Sequence, residues 1–404
     1  MTTRGHDADR NARPPYPMGP TMNPADAVDM LTNLPGLLGY HPRECLVLVF
    51  GDRFLCEPGP VLVRGIDGTD VDAVRLAAGD MAAEGHERAD VYVISEAWPG
   101  GGGDGDGGKD LGGTGDGHDL RRRCDGIVAA LEDFDIDVVQ FAGVDAVYAG
   151  ASVTDADGHV LGVLGDPAVS WASDRLHSSG EAIAANVESL RERFHPEPAG
   201  LRIAAGEALR RADDDVRGLR RAGGGAGPEA MDLVREHHLE WLSLVGAVDR
   251  GDISVDDALT EPMHLRTLAR PLVSLLLRDL TMCEILGDVE DTVRALWLGC
   301  ARIFRGTARA NALACYAIDR HVHGNATIAK AALDAALVTD PGHSLSQLLL
   351  VAMTSGRGEE ALRSMLEATT AILGEVHPED GEYWSDEKLS ISGGRNVRGR
   401  RGTR

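Results

Sequence analysis

With 404 residues, 64 acidic side chains against 40 Lys plus Arg and a net charge of −24, the chain presents a surface that repels phosphate backbones and anionic lipid. That balance excludes a duplex-nucleic-acid-binding body, and the length points to two or three packed units. Hydrophobic residues at 43% can fill real cores, whereas 4% aromatics and 50 clustered glycines point to linkers between globular parts and exclude wholesale disorder or collagen.

Residues 1–22, with Pro14, Pro15, Pro17 and Pro20, read as a disordered lead that has neither a signal core nor a transit helix. Residues 23–198 read as an α/β domain built on a mixed, mostly parallel sheet. A short helix is predicted over Ala25 to Leu31, followed by a rigid shaped loop or a helix stop with a tight turn over Asn33 to Pro42. The apolar run Leu46 to Phe50 is a buried strand, and Pro60 to Arg64, Asp90 to Ser95 and Ile136 to Phe141 supply further strands. Helical spacing appears over Val71 to Met81 and Asp119 to Phe134. Asp155-Ala156-Asp157-Gly158 is a turn sequence joining two β-rich runs, so an antiparallel edge is expected. Ser178-x-x-Glu181 has the form of a capping box and predicts a helix reaching Phe194.

Beyond Pro198 the strand signals stop, and residues 199–374 read as an all-α domain of stacked helices. Amphipathic runs occur at Glu229 to Asp249, Leu265 to Leu286, Val289 to Phe304, Ala308 to His321, Ala326 to Val338 and Ser344 to Met353. Taking Pro341 as the closing proline of a tetratricopeptide unit puts Leu313, Tyr316, Ala317, Ala329, Leu333 and Ala336 on its packing positions. The alternative is an ordinary helical hairpin, since one copy cannot make a solenoid. The longest greasy stretch, Pro271 to Leu277, is too short for a bilayer, so no membrane partner is expected. Residues 375–404 read as a disordered basic tail. Arg395, Arg398, Arg400, Arg401 and Arg404 lie there in a stretch free of acids, either solvated or making a weak contact with an anionic partner.

Motifs for chemistry are sparse. Gly103-x-x-x-x-Gly108-Lys109 imitates a phosphate loop, but Asp110 replaces the hydroxyl that binds magnesium and glycines continue where a helix should start, so the tract 99–117 reads as a solvated insertion. Asp104, Asp106 and Asp110 lack the closing Glu of a calcium loop. Gly342-His343-Ser344-Leu345-Ser346 comes nearest to a nucleophile elbow, yet it lies between helices and reads as a helix cap. His237-His238 and His321-x-His323 have the wrong spacing for a helical metal pair, and no cofactor or metal is expected. The six cysteines are scattered without a C-x-x-C pair, which fits a reduced cytoplasm. Open sheets bind ligands beyond strand C-termini, which nominates Asp52, Ser95, Glu96 and Asp145 as weak candidates for a catalytic site.

The stretch Leu34-Pro35-Gly36-Leu37-Leu38-Gly39-Tyr40-His41-Pro42-Arg43-Glu44-Cys45-Leu46-Val47-Leu48-Val49 resembles the opening signature of an actinobacterial family, domain of unknown function 4192, with the pattern P-x-x-L-G-[FY]-x-P-x-x-S-[LV]-V before a strand. Cys45 stands where the pattern has Ser, which implies burial rather than a hydroxyl role. Asn311 to Leu350 is similar to the family's C-terminal region, and the resemblance spans about Pro24 to Gly356, with the tract 99–117 and both tails as insertions. It implies no activity and supplies no catalytic residues. The residues themselves favour a cytoplasmic, non-enzymatic binding or regulatory protein whose helical domain engages an unknown protein partner. The alternative is an α/β hydrolase or transferase acting on a small molecule at the sheet edge.

Overall fold

The computed structural model describes residues 26–51, 60–66, 71–98, 115–197, 199–221, 228–286, 289–355 and 357–377. The expected lead 1–22, Asp52, the tract 99–117 up to residue 114 and the tail from 378 onward lie outside them. In chain order the elements are α1 (Ala27–Leu38), β1 (Cys45–Gly51), β2 (Val61–Gly65), α2 (Val71–Ala83), β3 (Arg88–Ile94), α3 (Gly115–Glu132), β4 (Asp137–Val144), β5 (Ser152–Asp155), β6 (Val160–Val163), α4 (Trp171–Ser178) and α5 (Val187–Glu192). There follow α6 (Ala199–Arg221), α7 (Pro228–Asp249), α8 (Val255–Ala258), α9 (Pro262–Val273), α10 (Leu275–Thr281), α11 (Glu290–Ile303), α12 (Gly306–Val322), α13 (Ala326–Thr339), α14 (Ser344–Thr354) and α15 (Gly358–Val376).

The strands form one mixed sheet in the order β2-β1-β3-β4-β5-β6. The expectation that it would be mostly parallel is corrected: among the described strands β3 and β4 make the one parallel pair, and the other four pairings are antiparallel. The cause is the short chain path from β1 through the edge strand β2 and α2, which brings β3 back alongside β1 in the opposite direction. The predicted hairpin is present. Gly158 turns at φ 86°, while Asp155 Oδ1 accepts from the amides of Asp157 and His159 at 2.9 Å each.

Strand β1 is apolar at almost every position because both its faces are covered. Cys45, Val47 and Val49, with Tyr92 and Ile94 of β3, meet α1 and the helical half in one apolar cluster. Leu46, Leu48 and Phe50, with Val91 and Val93, meet α2 and α3 in another. The first cluster continues without interruption into α9, α11, α12 and α13. A third, smaller cluster lies between α6, α7, α10 and α15.

Several local expectations change. Helix α1 does not stop at Leu31 but runs on through Pro35 and Gly36 to Leu38, ending at Gly39 in the left-handed conformation (φ 75°) with its amide bonded to Pro35 O. Ser178 closes a helix instead of opening one. Ser170 caps α4 by accepting from Ser173 N, Gly180 at φ 77° ends it, and Asn186 caps α5. Helix α3 starts at Gly115, within the end of the tract expected to be linker. The run Leu265 to Leu286 is split at Ser274, three residues after Pro271. Helices α6 and α15 lack counterparts among the predicted runs.

Candidate functional site

The parallel neighbours β3 and β4 end side by side, and the amide of Ser95 bonds to Val144 O at 3.0 Å. This brings Ser95, Glu96 and Asp145 to one rim of the sheet, as the nomination required. The C-terminal end of β1 lies at the opposite rim, because Gly51 pairs with Arg88 at the start of β3. What β1 contributes beside Ser95 is instead the residue before its first: Glu44.

Glu44 is one of two described non-glycine residues at positive φ, at 43°, a conformation that costs about 1–3 kcal/mol and needs compensation. The compensation is visible in its carboxylate. Oε2 accepts from Ser95 Oγ at 2.8 Å and Oε1 accepts from Glu96 N at 2.9 Å. Ser95, 1% exposed, also accepts from Ala97 N at 3.2 Å, so its hydroxyl is spent on closing the turn after β3. Asp145 is half-buried and accepts from the amide of Ala146 at 2.7 Å, while Glu96 faces solvent. The rim is a fastened loop with carboxylates at its border; among the described residues no group of three or more His, Cys, Asp or Glu is arranged to hold a metal ion. Glu44→Ala should strand the Ser95 hydroxyl and the Glu96 amide and cost about 1–3 kcal/mol in urea unfolding.

A denser set of charges lies where the segment after α4 meets α11 and α12. Asp319 and Arg320 are both fully buried and Arg294 nearly so. Asp319 Oδ2 accepts from Arg294 Nε at 2.8 Å and from Arg320 Nε at 2.7 Å. Glu181 accepts from Tyr316 OH at 2.6 Å and from Arg193 Nη1 at 2.7 Å, and Arg294 Nη1 donates to Ser179 O at 2.6 Å. Burial raises the Asp319 carboxyl to about 7 against the attraction of Arg294 and His323, and burial with the Glu181 charge holds Tyr316 well above its ordinary value. His323 is lowered by burial but more strongly raised by its hydrogen bond to Glu290 and by Asp319, so its value lies above the ordinary one. Every carboxylate here has a guanidinium or histidine partner, which makes the cluster a tie between chain segments.

The Gly342 to Ser346 stretch does put Ser346 Oγ at 2.7 Å from His343 Nδ1, with His343 Nε2 at 3.0 Å from Asn311 Oδ1. The spacing is that of a nucleophile, a base and an orienting amide. Ser346 is however fully buried, and His343 Nδ1 also accepts from Ser346 N as the cap of α14. Asn311 holds Leu272 O at 3.0 Å and Arg278 Nη1 at 2.8 Å, satisfying a carbonyl freed where α9 breaks. The expected helix cap is what the residues form.

On the outside of the helical half, α14 carries no charged residue from Ser344 to Thr354. Leu348 and Val351 are 69% and 65% exposed, and Val338 on the adjoining α13 is 85% exposed. A shallow concavity of about 500 Å³ runs along α7, lined by Asp232, Arg235, Glu236, Leu239, Glu240 and Ser243. None of Ser95, Glu96 and Asp145 lines it. No helix among the described residues is long and apolar enough to cross a membrane.

A model of the family described as domain of unknown function (DUF4192) matches residues 28–359, from α1 to the start of α15. No curated protein and no solved structure matches the chain. The signature before β1 has a structural meaning in this fold. Gly39 caps α1, the amide of His41 and the carbonyl of Gly39 bracket Ala184 at 3.0 and 2.8 Å, and Cys45 starts β1 as a buried thiol. The match spans well over half the chain and takes in all six strands, so the protein belongs to the DUF4192 family, a domain of unknown function.

Proposed function

We propose that the protein is a non-enzymatic binding or regulatory protein whose helical part engages a protein partner through the outer face of α13 and α14. The observation that carries this reading is the uncharged helix α14, with Leu348 and Val351 largely exposed and Val338 exposed on the adjoining α13, on a chain 26% charged. Exposed apolar patches of this kind are where soluble proteins meet partners. The hairpin beneath it supports a tetratricopeptide-like module: Leu313, Tyr316, Ala317, Ala329, Leu333 and Ala336 are all fully buried, and the alanines let α12 and α13 approach closely. We read residues 23–198 and 199–374 as its two domains and an actinobacterial cytoplasm as its setting, with Cys45, Cys124, Cys283, Cys300 and Cys315 all buried free thiols. A weak anionic contact through Arg395 to Arg404 belongs to the same reading.

Leu348→Arg and Val351→Glu, each in the full chain, should leave the free energy of urea unfolding within about 0.5 kcal/mol of wild type, as exposed substitutions do. Each should also abolish co-purification of a stoichiometric partner from cells of the source organism. Retention of the same partner by both variants would overturn the assignment of the face.

The alternative, an α/β enzyme at the rim holding Ser95, Glu96 and Asp145, with Asp52 as the fourth candidate, has one observation in its favour. Glu44 is held in a costly backbone conformation beside them. A metabolite thermal-shift screen on the full chain separates the two readings: a ligand whose stabilisation vanishes in Glu96→Gln or Asp145→Asn supports the enzyme.

A further inference from the structure

The segment that leaves α5 for α6 runs over the joint between α11 and α12. Arg309 Nη2 donates to Phe194 O, the amide of Glu197 donates to Arg302 O at 2.8 Å, and the Glu197 carboxylate pairs with Arg302. This path brings Arg202, early in α6, to Arg309 of α12, where the two positive charges repel each other. Burial first, and the Arg202 charge second, hold the Arg309 guanidinium below its ordinary value. Arg305, exposed at the head of α12, adds a further positive charge to the same connection.

What sets this pair apart is the lack of a carboxylate between them. On a chain of net charge −24, the buried guanidiniums of Arg270, Arg278, Arg294 and Arg320 each rest on one. Arg202 and Arg309 have none among the described residues, and the Nε of each is shut off from solvent without a hydrogen-bond partner. The acids on the neighbouring segments are engaged elsewhere: Glu197 by Arg302, Glu181 by Arg193 and Tyr316, and Asp340 by the Thr307 hydroxyl at 2.8 Å.

Two like charges held together and two N–H groups left unmatched both cost free energy. One anion placed between the side chains removes both costs at once. Each guanidinium offers a fork of N–H donors that fits two oxygens side by side. A carboxylate presents a single such edge and one charge, whereas two forks and two charges call for a tetrahedral dianion.

We propose that Arg202 and Arg309 are the core of an anion site that takes a phosphate group, as free phosphate or as the end of a small phosphate monoester. Occupancy joins α6 to α12 through the anion, where the empty site has only repulsion between those two side chains. The site is separate from the outer face of α13 and α14 and from the rim that holds Ser95, so it stands or falls independently of either reading of the function.

Titrating the full-length protein with inorganic phosphate and, separately, with glycerol 3-phosphate tests this, with ionic strength held constant by sodium chloride. Binding is followed by calorimetry and by the melting temperature. At least one of the two should bind saturably and raise the melting temperature, and the tighter of them identifies the source of the phosphate group. Arg202→Gln and Arg309→Gln should each weaken binding by about tenfold or more, and Arg309→Lys, which keeps the charge but loses the fork, by less. Arg309 also holds Phe194 O, so Arg202→Gln is the variant that keeps the fold. Without phosphate it should melt no lower than wild type, because it relieves the repulsion; at saturating phosphate the order should reverse. No response to either phosphate beyond the chloride control, undiminished binding in both glutamine variants, or an Arg202→Gln protein that already melts lower without phosphate would each overturn the site.

Discussion

Asp319→Ala should lower the stability of the protein by about 3–5 kcal/mol, among the largest effects available to one side chain outside the apolar cores. Asp319 is 0% exposed and its Oδ2 receives the guanidinium nitrogens of both Arg294 and Arg320. Removing it leaves two buried cations facing each other. Arg294 keeps Asp291 and Ser179 O, but Arg320 keeps only a 3.5 Å approach to Glu181 and the Ser179 hydroxyl at 3.4 Å, together with the Tyr316 ring at 5.9 Å. The damage should be local first, because Ser179 and Glu181 are the points at which the segment after α4 is tied to α11 and α12. Asp319→Asn keeps an acceptor oxygen and should cost less than the alanine variant. Urea unfolding of the three proteins at pH 7.5 reads the ranking. A loss under about 1 kcal/mol for the alanine variant would mean that solvent reaches the guanidiniums and that the tie is not structural.

How much of this was legible from residues alone varied with the range of the interaction that decided it. The run Leu46 to Phe50 reads as a buried strand because burial on both faces leaves no room for alternation, and the Asp155 to Gly158 turn reads directly because its side chains bond their own backbone. The mostly parallel sheet did not survive, since strand direction depends on where the chain goes between β1 and β3, outside any local pattern. The same gap hid Glu44. A rim assembled from strand ends pointed to Asp52, but an antiparallel β1 brings the residue at its beginning beside Ser95. Adjacent Asp319 and Arg320 look like an ordinary solvated pair on a helix; Arg294 and Glu181, which bury them, lie 25 and 139 residues away from their respective partners. Both His238 and His377 are in plain view in the sequence, yet only the return of α15 onto α7 makes them neighbours. In each case the unread information was a tertiary contact that overrides local preference.

Gly36→Ala should be destabilising by about 3 kcal/mol, at the upper end of overpacking costs, although alanine is the better helix former by about 1 kcal/mol. The reason lies across the contact. A Cβ on Gly36 would stand 2.3 Å from both Ala172 C and Ser173 N, which are backbone atoms of α4, and 2.8 Å from the Ala172 Cβ. Backbone cannot step aside as a flexible side chain can, so the two helices must separate. That motion would also pull on the bond from Ala172 N to Asn33 Oδ1 at 2.9 Å, on the same face of α1. The cost therefore includes a buried amide left without its acceptor as well as the void opened around Leu34 and Leu38. Gly206→Ala is the control: Gly206 lies inside α6 with nothing within 4 Å of its added Cβ, so the same substitution there should stabilise by about 0.5–1 kcal/mol. Opposite signs for the two substitutions in urea unfolding would show that the α1–α4 contact sets the cost at Gly36. A neutral Gly36→Ala would mean that the family signature before β1 tolerates a wider approach of α1 to α4 than the structure shows, and that the glycine there serves something other than packing.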